Sequence, residues 1–311
     1  MSDSGIPSIA LPNSPRALAA LELATTLQGK LVDVLRDAAL HSVANDVHFE
    51  SMEWDRDGGL HGGGRRLQNW DSSAFDRTSC NVSAIHYDDM PEKRLSSATA
   101  LSCIVHPRPA SAPSLHIHIS YTEMRDGRGY WRIMADLNPS HPIAADTAAF
   151  REAVREAFLT RSDGQALFEH AVDQGDKYFF IPALNRHRGV FHSYLEEFQT
   201  GDFESERGFA LRVGGAVIAA YGKILRSRLG SPDDAAARQR QLAYHTLYFF
   251  QVLTLDRGTT SGLLVHDQND VGILGSLPSH VDTAQLVEWL DRVPALQRPL
   301  LETLIQQLSG N

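Results

Sequence analysis

The sequence predicts an α+β protein in which an antiparallel sheet is covered by helices. Three observations carry this expectation. Apolar residues recur at helical spacing near both ends of the chain and over 205–229. The stretch from about 80 to 137 has the short, alternating, partly β-branched texture of a strand meander, broken by turn signals. Strands and helices also come in separate runs, the order that suits α+β packing.

Residues 1–13 read as a loose tail. Ser14-Pro15 supplies an N-cap followed by proline at the first helical position, and Leu27, Leu31, Val34 and Leu35 keep helical spacing, so 14–44 is expected to be a helix. Residues 55–70 contain Gly58, Gly59, Gly62, Gly63 and Gly64, followed by Arg65 and Arg66. This stretch lacks the Gly-Lys-Ser/Thr ending of a phosphate loop and predicts a flexible turn or an active-site flap. Segments 98–106, 116–121 and 130–137 read as three antiparallel strands. Pro107, Pro109 and Pro113 keep the first connection out of helix, and Asp126-Gly127-Arg128-Gly129 turns the second. Asp146 is expected to cap a helix with Phe150, Val154, Ala157 and Phe158 on one side. The pattern over 179–198 is mixed. A long helix over 205–229 carries Val217, Tyr221, Ile224 and Leu225, ends at Gly230, and is followed by helix at 234–243. Residues 247–255 look strand-like, Asp256-Arg257-Gly258-Thr259 is a turn, and 262–265 and 271–274 suggest short strands. The end, from about 282 to 309, is helical through Leu286, Leu290, Leu301, Leu304 and Ile305, with a break near Pro294. That apolar stripe suits core better than a dimer contact.

The chain has 311 residues, of which 42% are hydrophobic, enough to bury a large core. No repeat, low-complexity tract or clean boundary divides it, so a single domain over 14–311 is expected after the tail at 1–13. Lys and Arg number 29 against 38 Asp and Glu, and the net charge of -9 gives no global attraction for nucleic acid or anionic membrane. Cys80 and Cys103 are too few for a disulfide framework and too sparse for a thiolate zinc site. The first dozen residues lack a signal-peptide pattern, and no unbroken apolar stretch of about 18 residues suggests a membrane span. A cytoplasmic protein with reduced thiols is the default expectation.

Strand side chains alternate faces with period two. Ser102, Ile104 and His106 therefore share a face of one strand, and His116, His118 and Ser120 share a face of the next. If these strands pair, three imidazoles converge on one side of a sheet, with Asp136 on the third strand. Two chemistries suit this set. Neutral imidazole is the commonest metal ligand, so His106, His116 and His118 are candidate ligands for a divalent iron, copper, zinc or manganese. Alternatively, histidines beside a carboxylate transfer protons or hold a substrate carboxylate. A His-x-His on a strand is equally common on a plain solvated face, so spacing does not decide among these.

The stretch Ser102-Cys103-Ile104-Val105-His106-Pro107, with His116 beyond it, resembles a signature of the oxygen-dependent coproporphyrinogen III oxidases. Further pieces follow in family order. Gly62-Gly63-Gly64-Arg65 looks like its glycine-rich segment, and Ala135-Asp136-Leu137-Asn138-Pro139 like its Asp-Leu-Thr-Pro. Arg188-Gly189-Val190 with Tyr194-Leu195-Glu196-Glu197-Phe198 looks like its Arg-Gly-Ile-Gly-Gly-Leu-Phe-Phe-Asp-Asp-Leu. Asp256-Arg257-Gly258-Thr259 with Gly262-Leu263 matches closely, and Ile273-Leu274-Gly275-Ser276-Leu277-Pro278 resembles a last piece. The likeness runs from about residue 55 to 280.

This resemblance implies a large flat antiparallel sheet sandwiched between helices, usually in a homodimer joined through the C-terminal part. It implies O2-dependent oxidative decarboxylation of two propionates of coproporphyrinogen III to vinyls, giving protoporphyrinogen IX in heme biosynthesis. O2 is then a co-substrate, and no metal or organic cofactor is essential. His116 and Asp136 become the candidate catalytic residues, with the Asp136 carboxylate facing the pyrrole nitrogens. Ser102, His118, Ser120 and Arg257 become candidate substrate contacts. The departures point elsewhere. The family's Asn-x-Arg is His118-Ile119-Ser120 here, its late Gly-Gly-Arg is replaced around His266-Asp267-Gln268-Asn269, and its Lys-His-Arg-Asn histidine is at Ala183. A tetracarboxylate calls for arginines, whose planar donors match a carboxylate. Two alternatives follow: a divergent enzyme, metal-assisted through His106, His116 and His118, oxidising a different small substrate, or a non-catalytic tetrapyrrole-binding protein.

Overall fold

The computed structural model of the chain describes residues 10–43, 47–252 and 276–309. Its centre is one seven-stranded sheet in the order β1-β2-β3-β4-β5-β6-β9. The strands are β1 Glu50–Asp55, β2 Gly62–Trp70, β3 Phe75–His86, β4 Leu95–Pro107, β5 Ser114–Met124, β6 Gly129–Asn138 and β9 Phe191–Phe198. Every neighbouring pair is antiparallel, so the first six strands form a continuous meander. A separate two-stranded ribbon pairs β7 Phe180–Ile181 with β8 Arg186–His187. The helices are α1 Pro15–Val43, α2 Ala144–Phe158, α3 Gly164–Phe179, α4 Phe203–Arg228, α5 Ala235–Phe250, α6 Thr283–Trp289 and α7 Arg298–Ser309. The α+β expectation is met by this arrangement.

Alternation builds the core. Cys80 pairs with Cys103, Cys103 with Ile117 and Ile117 with Ala135, a row that crosses four strands on one face. Val82, Leu101, Ile119 and Ile133 form the next row on that face. These side chains are buried against Leu27 and Leu31 of α1 and Val213, Val217 and Tyr221 of α4. Leu27 and Leu31 are fully buried, and each such side chain contributes about 1.5–3 kcal/mol by leaving water. Both cysteines are unpaired thiols in this layer.

Several elements follow the sequence closely. Ser14 caps α1, its Oγ accepting from the backbone N–H of Ala17 at 3.2 Å. The C-terminal helices break around Pro294 as expected, and Leu286 and Leu301 are fully buried core.

Other expectations are corrected. The glycine-rich stretch is a β-hairpin, with only 56–61 forming the turn between β1 and β2. Gly62 is needed there: its φ is +89°, and a Cβ would lie 2.1 Å from the Ala84 carbonyl oxygen of β3. Asp146 is not a cap. Ile143 occupies that position, and the Asp146 carboxylate accepts from Arg228 of α4 at 2.8 and 2.9 Å. Gly230 has an ordinary φ, and α4 ends on Leu229 in right-handed geometry.

The strand-like run at 247 is helix through Phe250. Tyr244 to Phe250 are all buried, and an unbroken apolar run cannot separate a buried helix from a buried strand. The expected strands at 262–265 and 271–274 lie outside the described residues. The mixed region resolves into α3, the β7–β8 ribbon and β9, which completes the sheet beside β6. Part of the expected tail is tied down: the Ala10 carbonyl accepts from His86 and the Asn13 N–H donates to Asp88. By length and hydropathy α4 is able to cross a membrane, but 56% of its apolar window is buried in the protein.

Candidate active site

The face of the sheet opposite α1 and α4 carries the candidate site residues. Three rows of paired residues cross it. In the first, Gln68, Ser79, Ile104, His116, Asp136 and His192 stand side by side on six strands. In the second, Arg66, Asn81, Ser102, His118, Met134 and Tyr194 do the same. The third runs Gly64, Ser83, Ala100, Ser120 and Arg132. Directly paired residues in an antiparallel sheet share a face. Ser102, His116, His118, Ser120 and Asp136 are therefore brought to one side, as the alternation predicts. His106 pairs with Arg77 and is on that side too.

His116 and Asp136 form the centre. Asp136 is fully buried, and its Oδ1 lies 2.8 Å from His116 Nδ1. Its Oδ2 accepts from Arg188 Nη2 at 2.9 Å and from the Asn138 amide at 2.5 Å. Arg188 Nη2 also lies 3.3 Å from His116 Nδ1. A guanidinium only donates, so Nδ1 cannot accept from Arg188 while donating to Asp136, and the shorter contact assigns the proton to Nδ1. With the Nδ1 proton directed at Asp136, the other ring nitrogen, Nε2, is the one left to act, and the side chain is 16% exposed. Burial alone would raise the Asp136 pKa, but the charge of Arg188 and the contact with His116 overcome it and hold the carboxyl well below its usual range. Arg188 is shifted oppositely: burial disfavours its charge, and Asp136 more than restores it. Its guanidinium also lies 4.6 Å from the Phe179 ring centroid and 5.2 Å from that of Tyr248.

This geometry corrects one expectation. A fully buried carboxylate with three donors on it does not face a pyrrole nitrogen. Asp136 instead holds His116 by its Nδ1 and so fixes the tautomer and orientation of the ring. A second correction concerns metal binding. The described residues contain no group of three or more His, Cys, Asp or Glu side chains placed to hold a metal ion. His106 shows why. It is fully buried, its Nε2–H donates to the Ser276 carbonyl at 3.2 Å, and its Nδ1 accepts from Ser114 Oγ at 2.9 Å. Neither nitrogen has a lone pair left for a metal. Burial, then the neighbouring His245, push its pKa well below the usual value, so it is neutral. His118 Nε2 is 3.1 Å from Ser120 Oγ. Arg257 lies outside the described residues.

Several members of the site escape a reading of motifs. Arg188 is recognisable only as part of the Arg-Gly-Val stretch, and its place on Asp136 depends on Gly189. That glycine has φ +81°, and a Cβ would lie 2.5 Å from Asn138 Oδ1 and 2.7 Å from the Leu137 carbonyl oxygen. His192 braces the same turn, donating from Nε2 to the Arg188 carbonyl while its Nδ1 sits 2.7 Å from Asp176. Tyr244, His245 and Tyr248 of α5 pack around His106, with ring centroids 6.2, 5.1 and 4.8 Å away. A cavity of about 400 Å³ lies beyond His245, lined by Asp76, Arg108, Asp233, Arg238, Gln241, Leu242, His245 and His280. None of the predicted site residues that are described lines it.

His106, His116, Asp136 and Arg188 thus lie at one end of β4, β5, β6 and β9. Residues 21–289 match the family model described as coproporphyrinogen III oxidase. The chain belongs to the coproporphyrinogen III oxidase family. Among curated proteins it is 29% identical over 243 residues to the oxygen-dependent coproporphyrinogen-III oxidase of Rickettsia akari (strain Hartford), covering 75% of this chain and 84% of that protein. The enzyme of the same name from Rickettsia bellii (strain OSU 85-389) is 28% identical over 246 residues, covering 76% and 85%. The family match spans α1 to α6 and so includes the whole seven-stranded sheet.

Proposed function

We propose that this chain catalyses the O2-dependent oxidative decarboxylation of coproporphyrinogen III propionates to vinyls, a step of heme biosynthesis. The observation that carries the reading is the His116–Asp136–Arg188 group on the open side of a family sheet. In this reading His116 is the acid or base, working through Nε2. Asp136 keeps its partner nitrogen protonated and offsets positive charge as the macrocycle is oxidised. Ser102, His118 and Ser120 line the face as substrate contacts, and Arg257 holds a propionate on the strength of its motif. O2 is the co-substrate. The related Rickettsia proteins, named for the same oxygen-dependent reaction, support this assignment.

The reading extends to the whole molecule. One domain from residue 14 onward is supported by a single apolar cluster that joins α1, the sheet and α4. A cytoplasmic setting suits two buried unpaired thiols. A homodimer is supported by the family resemblance and by exposed Val287 and Leu296 near the C-terminal end. No metal is required.

The test is CO2 release and vinyl product from coproporphyrinogen III under O2. His116→Ala is expected to lower kcat by roughly 10²- to 10⁴-fold, the usual worth of a positioned acid or base. Wild-type protein that releases no CO2 would sink the assignment. A stoichiometric iron, copper, zinc or manganese that His118→Ala loses would replace it with the metal-assisted alternative.

A further inference from the structure

The face that bears His116 carries two arginines that the motifs do not include. Arg66 on β2 belongs to the row of Asn81, Ser102 and His118, and Arg77 on β3 pairs with His106. Arg66 is only 5% exposed, yet its Nε and Nη1 have no hydrogen-bond partner among the described residues. Its Nη2 has the Met52 sulfur at 3.2 Å, a weak acceptor. The Nε of Arg77 is likewise buried without a partner, and its guanidinium lies 5.2 Å from the Trp70 ring centroid. Neither arginine makes an ion pair among the described residues. Burial and the charge of Arg77 both lower the pKa of Arg66.

Two guanidinium groups on one face of adjacent strands, one of them buried, are costly to hold there without an anion. An internal salt bridge is the common remedy, and Arg188 has one in Asp136. Arg66 and Arg77 do not. Their planar donors match a carboxylate held by two parallel hydrogen bonds. From β2 to β5 is three strand spacings, about 14 Å, a span that a tetrapyrrole with its propionate arms covers along the sheet.

We propose that Arg66 and Arg77 form a carboxylate-holding subsite at the β2–β3 end of the face, which takes one propionate of a tetrapyrrole whose reacting edge lies at His116. The proposal rests on the functional reading above and names how this chain holds that substrate. It also accounts for the charge lost where Ser120 and the His266-Asp267-Gln268-Asn269 stretch replace arginines: the cations are on β2 and β3 instead.

The experiment is a fluorescence titration of the full chain with coproporphyrin III, using wild type, Arg66→Met and Arg77→Gln. Each substitution is expected to weaken binding roughly ten- to hundred-fold, the range for a hydrogen bond to a charged group. The loss should vanish for a porphyrin of equal size whose arms end in hydroxyls. In turnover, KM should rise while kcat changes little, since His116 and Asp136 are untouched. Arg77 is half-buried, so Arg77→Gln carries the test even if Arg66→Met fails to fold. Unchanged coproporphyrin affinity in the variants overturns the subsite. A wild type that neither binds coproporphyrin nor releases CO2 overturns the functional reading instead.

Discussion

At the residue scale, the site is governed by how its buried charges are paired. Asp136 and Arg188 are both almost completely shielded from water, and each is tolerable only because of the other. Asp136→Ala would leave Arg188 buried and unpaired, at a cost of about 3–5 kcal/mol in urea unfolding. Asp136→Asn keeps the shape and should fold, but it no longer offsets charge on His116, so turnover should fall while the unfolding midpoint moves less. The two variants thus separate the structural role from the chemical one. A lowered carboxyl pKa stabilises the fold above the unfolded value near 3.8 and loses that contribution as pH falls below it.

His245 has the opposite chemistry and an earlier pH window. Burial pulls its pKa down to about 4 from 6.5, and it is 5% exposed. Below pH 6.5 the unfolded chain binds a proton at His245 that the folded chain refuses, so stability falls with pH until about 4. Between pH 6.5 and 5 this amounts to about 2 kcal/mol. His245→Phe also removes an Nε2 with no partner among the described residues. Stability of that variant should depend less on pH across this window, as measured by urea midpoints at pH 7, 6 and 5. An equally steep dependence would mean that His106 or other groups dominate.

At the element scale, the sheet depends on the β1–β2 hairpin entering in register. Gly62 starts β2 at positive φ, where an added Cβ would run into the Ala84 carbonyl oxygen. Gly62→Ala should therefore cost about 2–4 kcal/mol, from the left-handed strain together with a displaced β3. Gly58 is the control: it shares positive φ but has nothing within 4 Å, so Gly58→Ala should cost about 1 kcal/mol. Comparable losses at both positions would show that the close approach to β3 is unimportant.

The same scale shows where sequence patterns were legible. Strands β4, β5 and β6 alternate over part of their length, where one face meets α1 and α4 and the other is part-open, and are buried on both faces elsewhere, as at the ends of β4 and β6. α5 was not legible past residue 243. It is enclosed by His106 and by α6, so apolar residues surround it and no periodicity survives. The role of Asp146 was hidden for another reason. Its partner Arg228 is 82 residues away in sequence, and an acidic residue near a helix start looks like a cap until that contact is known.

At the scale of the whole molecule, the meander makes most long strands neighbours in sequence, and among the described strands of the sheet only β9 is brought from far along the chain. β9 and the turn before it deliver Arg188 and His192 to the β6 edge. The site is thus half local and half dependent on tertiary closure. Limited denaturant should release α6 and α7 before the sheet, because their apolar cluster is small and separate from the main one. Hydrogen exchange would check this, with slow amides expected on β3 to β6 and faster ones on 283–309.

The sequence by itself determined the part of the meander formed by β4, β5 and β6, the faces of those strands and therefore the side on which Ser102, His106, His116, His118, Ser120 and Asp136 stand; β1 and β2 were hidden in a glycine-rich stretch that reads as a turn. Period-two alternation and turn chemistry are local, so they can be read without coordinates. Only the tertiary structure decided what those groups do to one another. It buried Asp136 under Arg188, used both nitrogens of His106 in neutral hydrogen bonds, and gave Arg66 and Arg77 no ion-pair partner among the described residues. Those outcomes depend on desolvation and on partners distant in the chain, and neither is written in the spacing of residues.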